Sequence, residues 1–224
     1  MKWILDFQLF LFDFDGLLVN TEHLQFQAYV NMLAEHGVQL NWSFAQFCAI
    51  AHLHAEALKE AIYAEFPNLE PDWDLLHREK KEIYLRLIAS GKIELMPGVE
   101  PLLRALEAAR ISRCVVTHSA REQTLLIRSQ IPLLKTLPHW ITREEYARPK
   151  PAPDGYLRAI ELYGKKGDRI IGFEDSLRGL RSLQETPALS VLICPPHYPL
   201  LEIAAQGDVV HFESFEQIPS DSLL

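Results

Sequence analysis

The sequence predicts an α/β fold, a doubly wound parallel sheet of the Rossmann-like kind, with an all-helical domain inserted into it. Short apolar runs alternate with segments in which apolar residues recur every three or four positions. Such alternation is typical of a parallel sheet covered by helices on both faces. Residues 22–93 contain helix-like segments and no strand-like run, which indicates an insertion after the first strand.

The predicted strands are short and mostly apolar. Leu9-Phe10-Leu11-Phe12 leads directly into acids and Gly16, the pattern of a strand buried on both faces with polar groups at its carboxyl end. Further strands are predicted at 112–117, 169–174, 190–194 and, as a short final one, 209–210. Helices are predicted between them at about 98–110, 120–130, 153–164 and 176–186.

The inserted region is predicted to be helical throughout. Its apolar periodicity and turn signals indicate three helices, at about 22–37, 43–66 and 72–90. Met96-Pro97-Gly98 marks the return to the α/β layer. We therefore expect a discontinuous core of residues 1–21 and 94–224 and a helical cap of residues 22–93.

Composition and charge exclude several classes of protein. The 224 residues carry a net charge of −8, and this acidic balance argues against a nucleic-acid or anionic-membrane binder, because phosphates would repel it. No stretch approaches the roughly 20 apolar residues that span a bilayer. The apolar residues 1–5 are interrupted by Asp6 and followed by no signal-peptide cleavage pattern. We therefore expect a soluble cytoplasmic protein, whose oligomeric state stays open.

Polar residues follow several of the predicted strands. In open α/β sheets, ligands bind beyond the carboxyl ends of the strands, where such residues meet. The candidates are Asp13 and Asp15 after the first strand, Thr117-His118-Ser119 after the second, Glu174-Asp175-Ser176 after the run at 169–174, and Lys150 in the Pro-rich loop 148–154.

This mixture of residues suits phosphoryl transfer. Crowded carboxylates repel one another unless a cation compensates them, and an oxygen-rich ligand set selects Mg²⁺. Lys150 and the Thr117 hydroxyl could then hold phosphoryl oxygens. An aspartate nucleophile would divide the transfer into two steps through an aspartyl phosphate.

Each candidate also has an ordinary structural explanation. Asp13 and Asp15 could be turn formers after a strand, and Glu174 with Asp175 could cap the following helix. Lys150 taken alone would be a solvated surface lysine. Their joint occurrence in order along the chain favours chemistry over these explanations.

Four motifs carry a family resemblance. Asp13-Phe14-Asp15-Gly16-Leu17-Leu18-Val19-Asn20-Thr21-Glu22 resembles the first signature of the haloacid dehalogenase superfamily. Thr117, Lys150 and Gly172-Phe173-Glu174-Asp175-Ser176 resemble its second, third and fourth signatures. The helical insertion is similar to the small cap of the β-phosphoglucomutase-like branch, which includes phosphatases of sugar phosphates and other small metabolites. The resemblance covers essentially the whole chain.

The resemblance implies a role for each of these residues. Asp13 would be the nucleophile and Asp15 the general acid/base, and the presence of Asp15 favours phosphoryl transfer because the dehalogenases of the superfamily lack it. Mg²⁺ would be held by Asp13, the Asp15 backbone carbonyl and Asp175, with Glu174 either as an additional ligand or bonded to the ligands from just outside them. The substrate phosphate would be bound by Thr117, Lys150 and the His118 amide.

The chain also departs from the pattern of that branch. Asn20 stands where aspartate is common, and the cap segment 48–56 lacks the Gly and Arg of the usual substrate loop. His52 and His54 in this segment are expected at the surface. The leading expectation is therefore a Mg²⁺-dependent phosphatase for a small phosphorylated metabolite. A sugar-phosphate mutase of the β-phosphoglucomutase type and a catalytically silent binding module are the alternatives.

Overall fold

The computed structural model describes residues 1–53, 56–195 and 209–223. The chain forms two compact units. One contains residues 1–20 and 94–224, and the other contains residues 21–93.

A six-stranded sheet forms the centre of the first unit. All its strand pairs are parallel, and the strand order is β3-β2-β1-β4-β5-β6. The strands are β1 (Leu9–Phe12), β2 (Ser112–Val116), β3 (His139–Ile141), β4 (Ile170–Glu174), β5 (Leu189–Ile193) and β6 (Val210–Phe212). The predicted fold class is confirmed.

Eight α-helices lie within the described residues. Four belong to the helical unit: α1 (Glu22–Glu35), α2 (Phe44–Ala51), α3 (Ala57–Glu65) and α4 (Trp73–Ser90). Four belong to the unit with the sheet: α5 (Val99–Ala108), α6 (Arg121–Gln130), α7 (Asp154–Tyr163) and α8 (Leu177–Gln184). None of these described helices is long and apolar enough to cross a membrane.

Aromatic side chains pack in the core next to β1. Phe12 and Phe173 stack with ring centroids 5.4 Å apart, and Phe10 stacks on Phe173 at 6.2 Å. Phe215 closes the cluster 5.2 Å from Phe173. Every residue of β1 is buried, because the strand is central and lies between β2 and β4. The rigid centre of the sheet therefore leads directly into Asp13.

The chain turns sharply after β1. Gly16 has φ +82°, a left-handed conformation that glycine adopts without a Cβ penalty. Its N–H donates to the Val19 carbonyl at 2.9 Å. Asn20 then pairs with Glu94: the Asn20 N–H donates to the Glu94 carbonyl at 3.1 Å, and Asn20 Oδ1 accepts from the Glu94 N–H at 2.8 Å. The outgoing and returning chain segments are thus bonded side by side.

Two elements of the structure differ from the prediction. β3 was missed because it has only three residues, His139-Trp140-Ile141, and two of them are only half-buried. The single helix predicted at 43–66 is divided into α2 and α3. Beyond α2 the Leu53 N–H donates to the Ile50 carbonyl at 3.1 Å, which closes a turn.

The predicted surface position of His52 was also wrong. Its side chain is buried and its Nε2 is hydrogen-bonded to Glu22 Oε1 within the helical unit. A carboxylate partner makes the burial of an imidazole tolerable. His54, for which a surface position was predicted too, lies outside the described residues.

Aromatic packing holds the helical unit together. Helix α1 packs along α4. Tyr29 contacts Phe47 and Trp73, with ring centroids 5.7 and 6.3 Å apart, so α1, α2 and α4 share one apolar cluster. The Lys80 ammonium lies 4.9 Å from the centre of the Tyr29 ring. Among the described residues, the interior of this unit is therefore held together mainly by the packing of side chains.

Candidate active site

Three strand ends meet at one edge of the sheet. Asp13 follows β1, and its N–H donates to the Phe173 carbonyl of β4 at 3.0 Å. Thr117 follows β2, and its N–H donates to the Ile141 carbonyl of β3 at 3.0 Å. Glu174 is the last residue of β4. Because β1 lies between β2 and β4, all three residues lie at the carboxyl edge, where ligands bind in open α/β sheets.

Lys150 brings a buried ammonium to this edge. Only 6% of the residue is exposed. Its Nζ donates to Asp13 Oδ1, to Glu174 Oε1 at 2.6 Å and to the Val116 carbonyl at 3.0 Å. Lys150 is therefore not at the surface, where a lone lysine would lie. It belongs to a buried cluster of one ammonium and two carboxylates.

Burial and charge act in opposite directions on these groups. Burial raises the pKa of Asp13 to about 7, an effect that Lys150 opposes and Glu174 reinforces. Burial lowers the pKa of Lys150, but Asp13 and Glu174 outweigh it and leave that pKa raised. The lysine therefore keeps its proton. The surplus negative charge of the cluster is relieved by a proton on Asp13 or by another cation.

The acids at this edge fit a hard divalent cation. One carboxylate oxygen from each of Asp13, Glu174 and Asp175 lies within 4.8 Å of the others. Glu174 is fully buried, and its Oε2 has no hydrogen-bond partner among the described residues. A buried carboxylate oxygen without a partner is costly. An all-oxygen donor set of this kind suits Mg²⁺.

Helix α8 leaves space for the Glu174 carboxylate. A Cβ at Gly179 would lie only 1.9 Å from Glu174 Oε2 and 2.2 Å from Oε1. The carboxylate can occupy this position only because residue 179 is glycine. The capping role considered for Glu174 and Asp175 belongs instead to Ser176, whose Oγ accepts from the Gly179 N–H at 3.1 Å.

Asp15 is held by hydroxyl groups. Its Oδ2 accepts from Ser119 Oγ at 2.6 Å and from Thr117 Oγ1 at 3.4 Å. The Ser119 N–H in turn donates to Thr117 Oγ1 at 2.9 Å. The two acids of the first motif therefore have different surroundings, an ammonium for Asp13 and hydroxyls for Asp15.

The loop that carries Lys150 is fixed from both sides. The Arg148 side chain donates to both carboxylate oxygens of Asp154, with the shortest distance 2.8 Å. Ser182 Oγ of α8 donates to the Ala152 carbonyl at 2.7 Å. These contacts hold the loop on either side of Lys150, so its side chain is directed inward.

His118 differs from the other candidate residues in its exposure to solvent. Its side chain is exposed, and its Nδ1 lies 3.4 Å from the Tyr146 hydroxyl. That hydroxyl also donates to the Thr117 carbonyl at 3.0 Å. The predicted phosphate contact belongs to the His118 amide and stays a prediction.

The predicted residues thus form two adjoining groups. The first contains Asp13, Lys150, Glu174 and Asp175, and the second contains Asp15 and Thr117. Sequence reasoning missed two contributors, Tyr156 and Gly179, and gave no role to Ser119, which it named as a candidate. Ser119 carried a signal, since it follows the second predicted strand. Tyr156 had only the pattern of a core-facing helix residue, and nothing singled out Gly179.

Comparison with known proteins places this arrangement in a family. A family model of haloacid dehalogenase-like hydrolases matches residues 10–191. The chain belongs to this haloacid dehalogenase-like hydrolase family. It is 30% identical over 202 residues to Protein CbbY of Rhodobacter capsulatus, covering 87% of this chain and 88% of that protein. It is 29% identical over 196 residues to a probable pseudouridine-5'-phosphatase of Drosophila melanogaster, covering 83% and 81%.

A solved structure supports the same assignment. The crystal structure of CbbY from Rhodobacter sphaeroides in complex with phosphate matches with a TM-score of 0.78 at 25% identity, covering 95% of this chain and 96% of that one. The family match includes β1, the helical unit, the Lys150 loop and β4. The predicted membership of this haloacid dehalogenase-like hydrolase in the phosphatase branch is confirmed.

Proposed function

We propose that the protein is a Mg²⁺-dependent phosphatase that hydrolyses a small phosphorylated metabolite through an aspartyl phosphate on Asp13. The observation that carries this proposal is the buried cluster in which Lys150 contacts both Asp13 and Glu174. Burying such a cluster costs desolvation energy, and a function that uses these charges accounts for its presence. Its single ammonium and excess of carboxylates match a phosphoryl group bound together with a cation.

In the first step, the Asp13 carboxylate attacks the phosphorus of the substrate. The bond from phosphorus to the ester oxygen breaks, and Asp15 gives its proton to that oxygen. The Lys150 ammonium and the Thr117 hydroxyl hold the phosphoryl oxygens while charge develops on them. The products of the step are a free alcohol and an aspartyl phosphate.

In the second step, water regenerates the enzyme. Asp15, now ionised, takes a proton from the water as its oxygen attacks phosphorus. The bond between phosphorus and Asp13 breaks, which releases inorganic phosphate and restores both acids. The Ser119 hydroxyl, 2.6 Å from Asp15 Oδ2, keeps the Asp15 carboxylate oriented through both proton transfers while Thr117 serves the phosphoryl group.

Asp13, Glu174, Asp175 and the Asp15 backbone carbonyl would hold Mg²⁺. When bound, the ion supplies positive charge that lets a phosphate dianion approach a site rich in acids. The partnerless Oε2 of Glu174 supports its inclusion in the ligand set.

The substrate is proposed by class only. The relatives include a probable pseudouridine-5'-phosphatase, and the CbbY crystal contains phosphate, which supports a small phosphorylated metabolite. The acidic balance of the chain favours such a substrate over nucleic acid or a membrane surface. We propose that the helical unit acts as the cap that selects the substrate. The predicted domain boundaries and the cytoplasmic location stay predictions.

Phosphate release against a panel of phosphorylated sugars, nucleosides and small acids tests this function. Release of inorganic phosphate with Mg²⁺, and none in chelator, is the expected result. Isomerised sugar phosphate without free phosphate would assign the mutase reaction, in which a sugar hydroxyl replaces water. Mg²⁺ binding without turnover of any ester would assign a silent binding module.

A further inference from the structure

Tyr156 lies fully buried beside the charged cluster. It belongs to the first turn of α7, and its hydroxyl oxygen is 2.5 Å from Glu174 Oε1 and 3.3 Å from Lys150 Nζ. The Lys150 ammonium also lies 4.9 Å from the centre of the Tyr156 ring. Tyr156 therefore contacts both the Lys150 ammonium and the Glu174 carboxylate of the proposed site.

The proton count decides the direction of these bonds. The ammonium of Lys150 has three N–H groups, and its three closest acceptors are Asp13, Glu174 and the Val116 carbonyl. The Tyr156 oxygen is the most distant of its partners. The hydroxyl proton of Tyr156 is therefore free to donate to Glu174 Oε1.

The two oxygens of Glu174 are consequently unequal. Oε1 accepts from both Lys150 and Tyr156, whereas Oε2 has no hydrogen-bond partner among the described residues. The absence of a side chain at Gly179 is what gives this carboxylate its place. Two donors on Oε1 fix the rotation of the carboxylate and leave Oε2 as the oxygen available to a cation.

We propose that Tyr156 is a positioning residue, which orients Glu174 for the cation. The inference rests on the proposed function and adds a residue to it. Tyr156 acts through Glu174 and does not touch the reacting atoms. Partners of this kind that orient a metal ligand typically change metal affinity or activity by about 10- to 100-fold when removed.

The test is Tyr156→Phe, which removes the hydroxyl and keeps the ring. We expect Mg²⁺ binding, measured by calorimetry without substrate, to weaken about tenfold. In turnover assays kcat should fall by about the same factor, while KM should change by less than about twofold. The matched control is Tyr163→Phe on the same helix, where the ring stacks on His139 with centroids 3.8 Å apart. This control should bind Mg²⁺ and turn over like the wild type.

A double-mutant cycle shows whether Tyr156 acts through Glu174. In a Glu174→Ala background, Tyr156→Phe should lower kcat/KM by less than about twofold, because its acceptor is already gone. If Tyr156→Phe alone does not fold, the double variant still decides the matter. Removing both partners of this hydrogen bond leaves no orphaned tyrosine hydroxyl, and Lys150 keeps Asp13 and the Val116 carbonyl as acceptors.

Three outcomes overturn the inference alone. They are unchanged Mg²⁺ binding in Tyr156→Phe, an equal loss in Tyr163→Phe, and a full further loss in the Glu174→Ala background. A wild type that binds Mg²⁺ but releases no phosphate breaks only the proposed function, because the calorimetric result still decides the role of Tyr156. A wild type that binds no Mg²⁺ overturns both.

Discussion

Charged side chains at the sheet edge and on the surface of the helical unit have opposite surroundings. At the carboxyl edge of the sheet, Lys150 is buried and makes hydrogen bonds to the acids Asp13 and Glu174. In the helical unit, the ion pair of Lys59 with Glu56 is 3.3 Å long and both side chains are more than 40% exposed. Exposed pairs contribute little to stability, whereas a buried cluster must hold its members in one geometry.

This difference explains why individual site residues could be predicted at the sheet edge and not in the helical unit. Under the proposed function, residues at the sheet edge are constrained by the chemistry of phosphate and of a divalent cation, so their types and order are specific. The interior of the helical unit is constrained mainly by volume, as in the cluster of Tyr29, Phe47 and Trp73. Many sequences can satisfy such packing.

The largest expected effect is that of Asp13→Asn. Loss of the nucleophile should lower turnover by on the order of 10⁴-fold or more, because no other group can form the covalent intermediate. The melting temperature should stay close to that of the wild type, since Lys150 keeps Glu174 as a partner. Phosphate release and thermal unfolding measure the two effects. Turnover near the wild-type level would contradict the assignment of the nucleophile.

The contrast between buried and exposed charge is tested by two lysine variants. Lys150→Met should destabilise the metal-free protein by about 3–5 kcal/mol, because Asp13 and Glu174 lose their buried cation. It should also lower kcat by about 10²- to 10³-fold. Lys59→Met in the helical unit is the control and should change stability by less than about 1 kcal/mol. Urea unfolding in chelator compares the two variants. Equal losses in the free energy of unfolding would show that the buried and the exposed lysine contribute alike.

Gly179→Ala should have an intermediate effect. The added methyl group would overlap the Glu174 carboxylate, so either α8 or the carboxylate must move. We expect a loss of about 1–3 kcal/mol in stability, as in other overpacked cores, together with weaker Mg²⁺ binding. Calorimetric titration and urea unfolding report both. An alanine variant that binds Mg²⁺ as tightly as the wild type would show that the position of the carboxylate is not critical.

The smallest expected effect is a change in the free energy of unfolding with pH. The pKa of Asp13 is about 7 in the folded metal-free protein and 3.8 for a solvated aspartate. Between these values the folded protein holds a proton that the unfolded chain has lost, so stability decreases as pH rises and levels off above about pH 7. The slope should be at most about 1.4 kcal/mol per pH unit.

Urea unfolding in chelator across this pH range measures that slope. Asp13→Asn, which has no proton to lose at this position, should lack the contribution. Parallel slopes for the wild type and Asp13→Asn would assign the pH dependence to other groups.

Much of the fold could be predicted from local pattern. The runs that became β1, β2, β4 and β5 are apolar because the sheet is buried on both faces. β3 was not predicted because it is a strand of only three residues at the edge of the sheet. Two of these residues are half-buried, so the strand needs no apolar run. The helix predicted at 43–66 failed for a related reason. Periodicity continues across the turn after Ala51, and only the hydrogen bonds of the folded chain show where α2 ends.

The candidate site was predictable where a residue type is unusual in its place. One such case is Lys150, which lies between two prolines. Another is the set of acids that follow buried strands. Tyr156 is different, because a tyrosine on the inner face of a helix looks like core until its hydroxyl is found beside Glu174. Gly179 likewise matters only through a neighbour brought to it by the fold. Contacts between distant parts of the chain are not visible in local pattern.

The bonded pair of Asn20 and Glu94 has a consequence for how this protein could have evolved. Because the chain leaves and re-enters the sheet-bearing unit at two hydrogen-bonded residues, everything between them is a cassette with adjacent ends. A gene segment encoding residues 21–93 could be exchanged for another without changing any strand order in the sheet. Under the proposed role of the helical unit, recombination at one place would change specificity and leave the residues at the sheet edge unaltered.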